Sequence, residues 1–225
     1  MRIYQYSMIV CVILLFGCMA KRGDLLVQAA FDGEVSVVDY SLHHGVDVNY
    51  QEPRFGMTAL SAASMRGNLQ IVKTLLKYGA DVNLAQNNGT TPLMSAVISG
   101  RRDVVDLLLA SGANPCAIDN IYGLTALQLV PIHCKDTTES VAIIQSLVTA
   151  GTPVDHRSKI GETAFYCALY KDRASLAKAL WDAGANPNIA GRYGTAHEVA
   201  LRKGNHEIVK MLSSSSLSSA TTHNP

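Results

Sequence analysis

The chain has 225 residues, 48% of them hydrophobic and 16% charged, with a formal net charge of +1. That length and apolar content can bury a sizeable core, and the near-neutral balance excludes the bulk positive field by which proteins collect nucleic acid. Aromatic residues make up only 6%, and the supply of alanine, leucine and valine suits packed helices.

At the amino terminus Arg2 precedes an apolar stretch from Met8 to Phe16, followed by Gly17 and Cys18. A charged start, an apolar run too short to span a bilayer and a small residue at the cut describe a secretory signal. Leu15-Phe16-Gly17-Cys18 also resembles a bacterial lipobox, with Phe16 an unusual occupant of its position. The resemblance implies that Cys18 is the first mature residue and carries lipid, each buried methylene adding about 0.8 kcal/mol to the hold. An ordinary signal peptide or an uncleaved anchor is the alternative. On the lipoprotein reading residues 1–17 are the signal peptide and 18–23 are the lipidated cysteine with a short tether, about 17 Å when extended. Residues 24–213 form the folded array. Residues 214–225, rich in serine and threonine, form a disordered tail. Met19 rather than aspartate follows the cysteine; by resemblance to lipoprotein sorting in Gram-negative bacteria, this implies the inner leaflet of the outer membrane, facing the periplasm.

From Gly23 onward one block recurs. Threonines open the units at Thr58, Thr91, Thr125, Thr163 and Thr195, with gaps of 33, 34, 38 and 32 residues. Glycines close them at Gly45, Gly79, Gly112, Gly151 and Gly184, with gaps of 34, 33, 39 and 33. In Asn88-Gly89-Thr90-Thr91-Pro92-Leu93 the glycine suits a tight turn, Thr91 a helix cap and Pro92 the first helical position. Leu93, Ala96 and Val97 share one helical face. Val104, Val105, Leu108 and Leu109 recur at helical spacing in a second helix, and Gly112 fits the left-handed position after it. A period near 33 with two helices per unit predicts an all-α solenoid of six helix-turn-helix units joined by turn and hairpin loops.

Gly45-Val46-Asp47-Val48-Asn49, Gly79-Ala80-Asp81-Val82-Asn83 and Gly184-Ala185-Asn186-Pro187-Asn188, with Asn68-Leu69-Gln70-Ile71-Val72-Lys73, resemble the closing and second-helix motifs of ankyrin repeats. The resemblance covers roughly Gly23 to Ser213. The fourth unit departs from it by five extra residues around Pro131 to Glu139, where Pro131 is expected to shorten or kink the inner helix. Asp172 replaces the inter-helix glycine of the fifth unit.

No constellation supports catalysis, so no catalytic residue, metal or cofactor is expected. The histidines lack metal spacing, and neither a nucleophile elbow nor a phosphate loop is present. His133-Cys134 places an imidazole beside a thiol, outweighed by the plainer picture of a surface histidine next to a half-buried cysteine. Cys167 falls at an apolar inner-helix position, Cys116 replaces a closing asparagine and Cys134 an inter-helix glycine. No disulfide is expected among them.

The ankyrin resemblance implies protein binding through the turn tips and inner-helix ends, which form a concave face. The tip residues are Arg54, Phe55, Ile121, Tyr122, Lys159, Ile160, Arg192 and Tyr193, with Met57 and Leu124 just after their turn glycines. Met65, Arg66, His133, Tyr170 and Lys171 join them from the helix ends. Aromatic and arginine side chains are frequent interface hot spots. Basic residues gather here, which predicts a protein partner with an acidic surface and no nucleic acid. Small ankyrin lipoproteins of bacteria resemble immunity proteins, which implies a secreted antibacterial lipase or similar toxin as the partner. The alternative is a periplasmic adaptor or chaperone-like factor for a resident enzyme, for example in oxidative defence.

Overall fold

The computed structural model describes residues 19–220. The expected signal peptide and the lipidation site Cys18 lie outside the described residues, as does the end of the tail. The described chain is twelve helices in six antiparallel pairs. The inner helices are α1 (Met19–Asp32), α3 (Ala59–Arg66), α5 (Pro92–Ile98), α7 (Ala126–His133), α9 (Ala164–Tyr170) and α11 (Ala196–Lys203). Their outer partners are α2 (Val35–His43), α4 (Leu69–Lys77), α6 (Arg102–Ala110), α8 (Thr138–Thr149), α10 (Ala174–Asp182) and α12 (His206–Ala220).

Local chemistry sets where each inner helix starts. Thr58, Thr91, Thr163 and Thr195 sit in extended conformation, and each hydroxyl oxygen accepts the N–H three residues on. That satisfies a donor the helix cannot use itself, an effect of about 1 kcal/mol per cap. At Thr125 the backbone N–H donates to Gln128 Oε1 at 3.0 Å.

One apolar cluster runs unbroken from Leu26 to Leu212. Inner helices are lined by small residues such as Ala59, Ala62, Ala63, Ala96, Ala126 and Ala164, all essentially inaccessible. Each inner helix from α3 to α9 is pressed between two neighbours as well as its own partner, and alanine lets the backbones approach. Outer helices bury one larger face, for example Ile71, Val72 and Leu75 or Val104, Val105 and Leu108. Burying each of the Leu, Ile and Val side chains contributes about 1.5–3 kcal/mol. No pair covers its own apolar face, so stability belongs to the stack.

A second ladder runs through the closing loops. Asn49 Oδ1 accepts the N–H of Asp81 at 2.7 Å, Asn83 Oδ1 that of Asn114 at 2.7 Å, and Asp155 Oδ1 that of Asn186 at 2.9 Å. Between the third and fourth units this rung is replaced. Cys116 holds the asparagine position and Pro153, which has no N–H to give, holds the donor position. The Cys116 thiol instead donates to the Gly151 carbonyl across 3.5 Å.

Three expectations change. Met19–Gly23, expected as an extended tether, are helical and open α1. Gly23 lies beneath the Tyr50 ring, whose hydroxyl donates to Asp24 Oδ1 at 2.8 Å, so Asp24 is inside the first unit. At the other end α12 continues through Ala220, past the expected start of the tail at residue 214. Pro131 does not shorten α7, which has eight residues like α3 and α11. Only two residues of helix follow the proline, and Cys134 N–H to Val130 O closes the turn around it. The five extra residues follow α7, in and just after the expected range: the connection at residues 134–137 is longer than its counterparts, and α8 has twelve residues where α4, α6 and α10 have nine.

The insertion has a structural task. Asp136 accepts the N–H groups of Ser175 and Leu176, each at 3.1 Å, and so caps α10 of the next unit. The residue at the cap position of α10 itself, Arg173, makes no side-chain cap bond. Asp172 takes φ +56 where four other units have Gly33, Gly67, Gly100 and Gly204, and Asn205 Nδ2 donates to its carboxylate at 3.3 Å.

Candidate protein-binding face

Each unit after the first opens with a hairpin whose tip is set by a glycine and, in two units, by a carboxylate. Glu52 accepts the N–H groups of Arg54, Phe55 and Met57, and Asp119 those of Ile121, Tyr122 and Leu124. Burial works against the Glu52 charge, yet the three N–H donors outweigh it and hold its carboxyl below the usual range. These two acids were not among the predicted site residues. Their signal is an acid four positions before the turn glycines Gly56 and Gly123.

Backbone bonds then join tip to tip. Asn87 N–H donates to Phe55 O at 2.9 Å, Asn120 N–H to Asn88 O at 2.9 Å, and Lys159 N–H to Tyr122 O at 2.8 Å. Gly89 shows why the tips need glycine: it has φ +83, and a Cβ there would lie 2.6 Å from Asn120 N. The last hairpin is shorter and is held differently, with Tyr193 N–H donating to the hydroxyl of buried Tyr166 at 2.8 Å.

This scaffold leaves Phe55, Ile121, Tyr122, Ile160 and Tyr193 between 40% and 56% exposed. The result is a row of exposed apolar side chains held in register by the bonds between tips. The Arg54 guanidinium stacks over Phe55 at 4.7 Å, and Arg66 over Phe31, a residue the sequence did not single out, at 5.0 Å. Tyr170 and Tyr193 stack with centroids 5.3 Å apart and planes 12° apart, and Lys203 Nζ lies 4.9 Å from the Tyr170 ring. Lys171 and Arg192 are exposed beside them, and Met65 is half-buried at the end of α3.

Three predicted contacts serve the fold. Met57 and Leu124 are half-buried against the core, because the residue after each turn glycine heads back into the stack. Lys159 sends its ammonium to Asn120 O, which makes it a strut between tips. His133 is exposed; desolvation first, then the Lys171 ammonium, lowers its pKa. Its neighbour Cys134 is buried and donates its thiol to Val97 O at 3.1 Å. Burial raises that thiol's pKa against smaller opposing effects of Ser140 and Arg173, the reverse of an activated nucleophile. Cys167 is buried too, its thiol pushed up to about 12 by burial and then by the Glu162 carboxylate.

On the opposite flank, a groove of about 650 Å³ lies between the outer helices α8 and α10, floored by Ile144, Val148 and Ala179. Among the described residues no group of three or more His, Cys, Asp or Glu side chains could hold a metal ion, and no helix is long and apolar enough to cross a membrane.

Residues 26–119 match the family model for ankyrin repeats, in three copies. With the six helix pairs and the hairpin row, this fixes the architecture. The fold is an ankyrin-repeat solenoid. Among known proteins the chain is 34% identical over 164 residues to the ankyrin repeat and KH domain-containing protein mask-1 of Caenorhabditis elegans. It is 33% identical over 162 residues to the mitochondrial disaggregase of Bos taurus, and 36% over 138 residues to the putative ankyrin repeat protein FPV031 of fowlpox virus. These alignments cover 69%, 70% and 60% of this chain but only 6%, 22% and 39% of the relatives. Ankyrin arrays are protein-binding modules.

Proposed function

We propose that this chain is a lipid-tethered ankyrin receptor of the bacterial envelope that binds and neutralises an incoming protein, such as a secreted antibacterial lipase, as immunity proteins do. The observation that carries the binding part is the row Phe55, Tyr122, Ile160 and Tyr193, exposed yet fixed by the Asn87, Asn120 and Lys159 backbone bonds and by Tyr166. A surface already ordered loses little entropy when it docks. What supports the address is Leu15-Phe16-Gly17-Cys18 with α1 following from Met19. A helix rises about 1.5 Å per residue, so an acylated Cys18 would hold the first unit against the leaflet, where a guard against a lipid-degrading toxin is useful.

The test has two parts. Cells making the chain should incorporate labelled palmitate into it, and the Cys18→Ser variant should not; labelling of neither refutes the tether. A deletion strain should lose survival in coculture with toxin-bearing kin and regain it with the intact gene, whereas unchanged survival refutes the immunity role. The similarity to a mitochondrial disaggregase favours a second reading, a chaperone-like adaptor for a resident enzyme. Pull-down from unstressed cells would then recover that enzyme in place of an effector.

A further inference from the structure

We infer that the end of this face built by the fifth and sixth units is the docking site for an acidic polypeptide segment, centred on the stacked Tyr170–Tyr193 pair. The inference rests on the protein-binding reading above and narrows it to one place and one chemistry. Cations are spread along the whole face in sequence, but the structure separates those already engaged from those still available. Arg54 lies on Phe55, Arg66 on Phe31, Lys159 Nζ on Asn120 O, and Arg157 Nε on Gly161 O. Lys171, Arg192 and Arg202 are exposed and have no side-chain hydrogen bond or ion pair among the described residues.

The acids nearby are occupied. Glu198 Oε2 accepts the N–H of Thr195 at 2.9 Å, and Asp172 Oδ1 the amide of Asn205. Residues 170–173 and 191–203 contain five cations (Lys171, Arg173, Arg192, Arg202 and Lys203) against two acids (Asp172 and Glu198), a formal +3 in a chain of +1 overall. Positive charge is thus concentrated at one end, with long side chains free to turn toward a ligand. The tyrosines specify what kind. The Tyr170 ring has Tyr193 stacked on it and the Lys203 ammonium over it, and both tyrosines stay 40% exposed. Ring edges carry the positive end of the aromatic quadrupole and the hydroxyls donate. Both favour carboxylate oxygen.

The experiment uses the folded chain and three labelled probes in fluorescence anisotropy: a peptide of glutamate and aspartate around one leucine, the same peptide with glutamine and asparagine, and oligo-dT. The acidic peptide should bind, and weaken about tenfold as salt rises from about 50 to 300 mM. Lys171→Glu with Arg202→Glu should weaken it by a further factor of about ten, while Arg54→Glu with Arg66→Glu should change it less than about twofold. Circular dichroism confirms the fold of each variant. Equal loss from both reversals overturns the location but leaves protein binding intact. Equal affinity for the uncharged peptide, or no binding of the acidic one, overturns the chemistry. Tighter binding of oligo-dT overturns the class of partner.

Discussion

Asn83 and Cys116 hold the same position in successive units, yet replacing each with alanine should have different consequences. Asn83 Oδ1 accepts the N–H of Asn114 at 2.7 Å and its Nδ2 donates to Gly112 O at 3.2 Å. Each such bond contributes about 0.5–1.5 kcal/mol net. Both ends are exposed, so water takes over part of what is lost, and Asn83→Ala should cost about 1–2 kcal/mol. Cys116 offers one long thiol bond to Gly151 O, a weak donor at 3.5 Å. The residue it would otherwise serve is Pro153, which has no N–H, so Cys116→Ala should stay within about 0.5 kcal/mol. In urea, with a slope of about 2–3 kcal/mol/M, the first midpoint falls by about 0.5 M and the second hardly moves. Repair provides the complementary test. Cys116→Asn alone should gain nothing, but with Pro153→Asp the rung can form, and the double-mutant cycle should show a favourable coupling of about 0.5–1.5 kcal/mol. Equal costs for the two alanines, or zero coupling in the cycle, would refute the idea that the rung is what asparagine supplies here.

Three further outcomes follow from the same geometry. Asp136→Ala should cost about 1 kcal/mol, because it uncaps α10 across a unit boundary; a thermal melt unchanged from the parent chain would show the insertion is slack. Glu52→Gln should be destabilising at neutral pH and progressively less so in acid. A carboxyl held lower in the folded than in the unfolded chain stabilises fully above its unfolded pKa, and that stability drains away as pH falls through the lower folded value. A gap between parent and variant that stays constant from neutral pH into acid would contradict this. Finally, with Cys11 and Cys18 replaced by serine, a thiol reagent at neutral pH should modify exposed Cys116 first, with Cys134 and Cys167 reacting only on unfolding. Fast modification of all three would mean the fourth and fifth units are open.

The threonine caps, the closing glycines and the helix pairs were legible in the sequence because each depends on neighbours a few residues away. Thr91, Pro92 and Gly112 act within one turn of themselves, whatever the rest of the chain does. The exposed tips at Phe55, Tyr122 and Tyr193 were legible for the same reason, since a residue before a turn glycine has nowhere to hide. The effect of Pro131 was misjudged because the local rule for proline ignores how little helix remained after it. The work of Asp136 was missed because its partners, Ser175 and Leu176, lie nearly forty residues away.

Position along the stack decided the rest. Val97, Pro131, Leu169 and Leu201 are the same residue of successive units, each six past its opening threonine. The first three are buried and Leu201 is 54% exposed, since among the described residues no inner helix follows α11 to cover it. Lys159 and Lys171 are alike as letters, but one braces a neighbouring tip while the other stands in solvent beside the tyrosine pair. Periodicity by itself determined that there would be six helical pairs and where the threonine-capped inner helices begin, because those are short-range bonds. Which side chains are left over to meet a partner was decided only by the tertiary structure, because a group is available only when no adjoining unit has already used it.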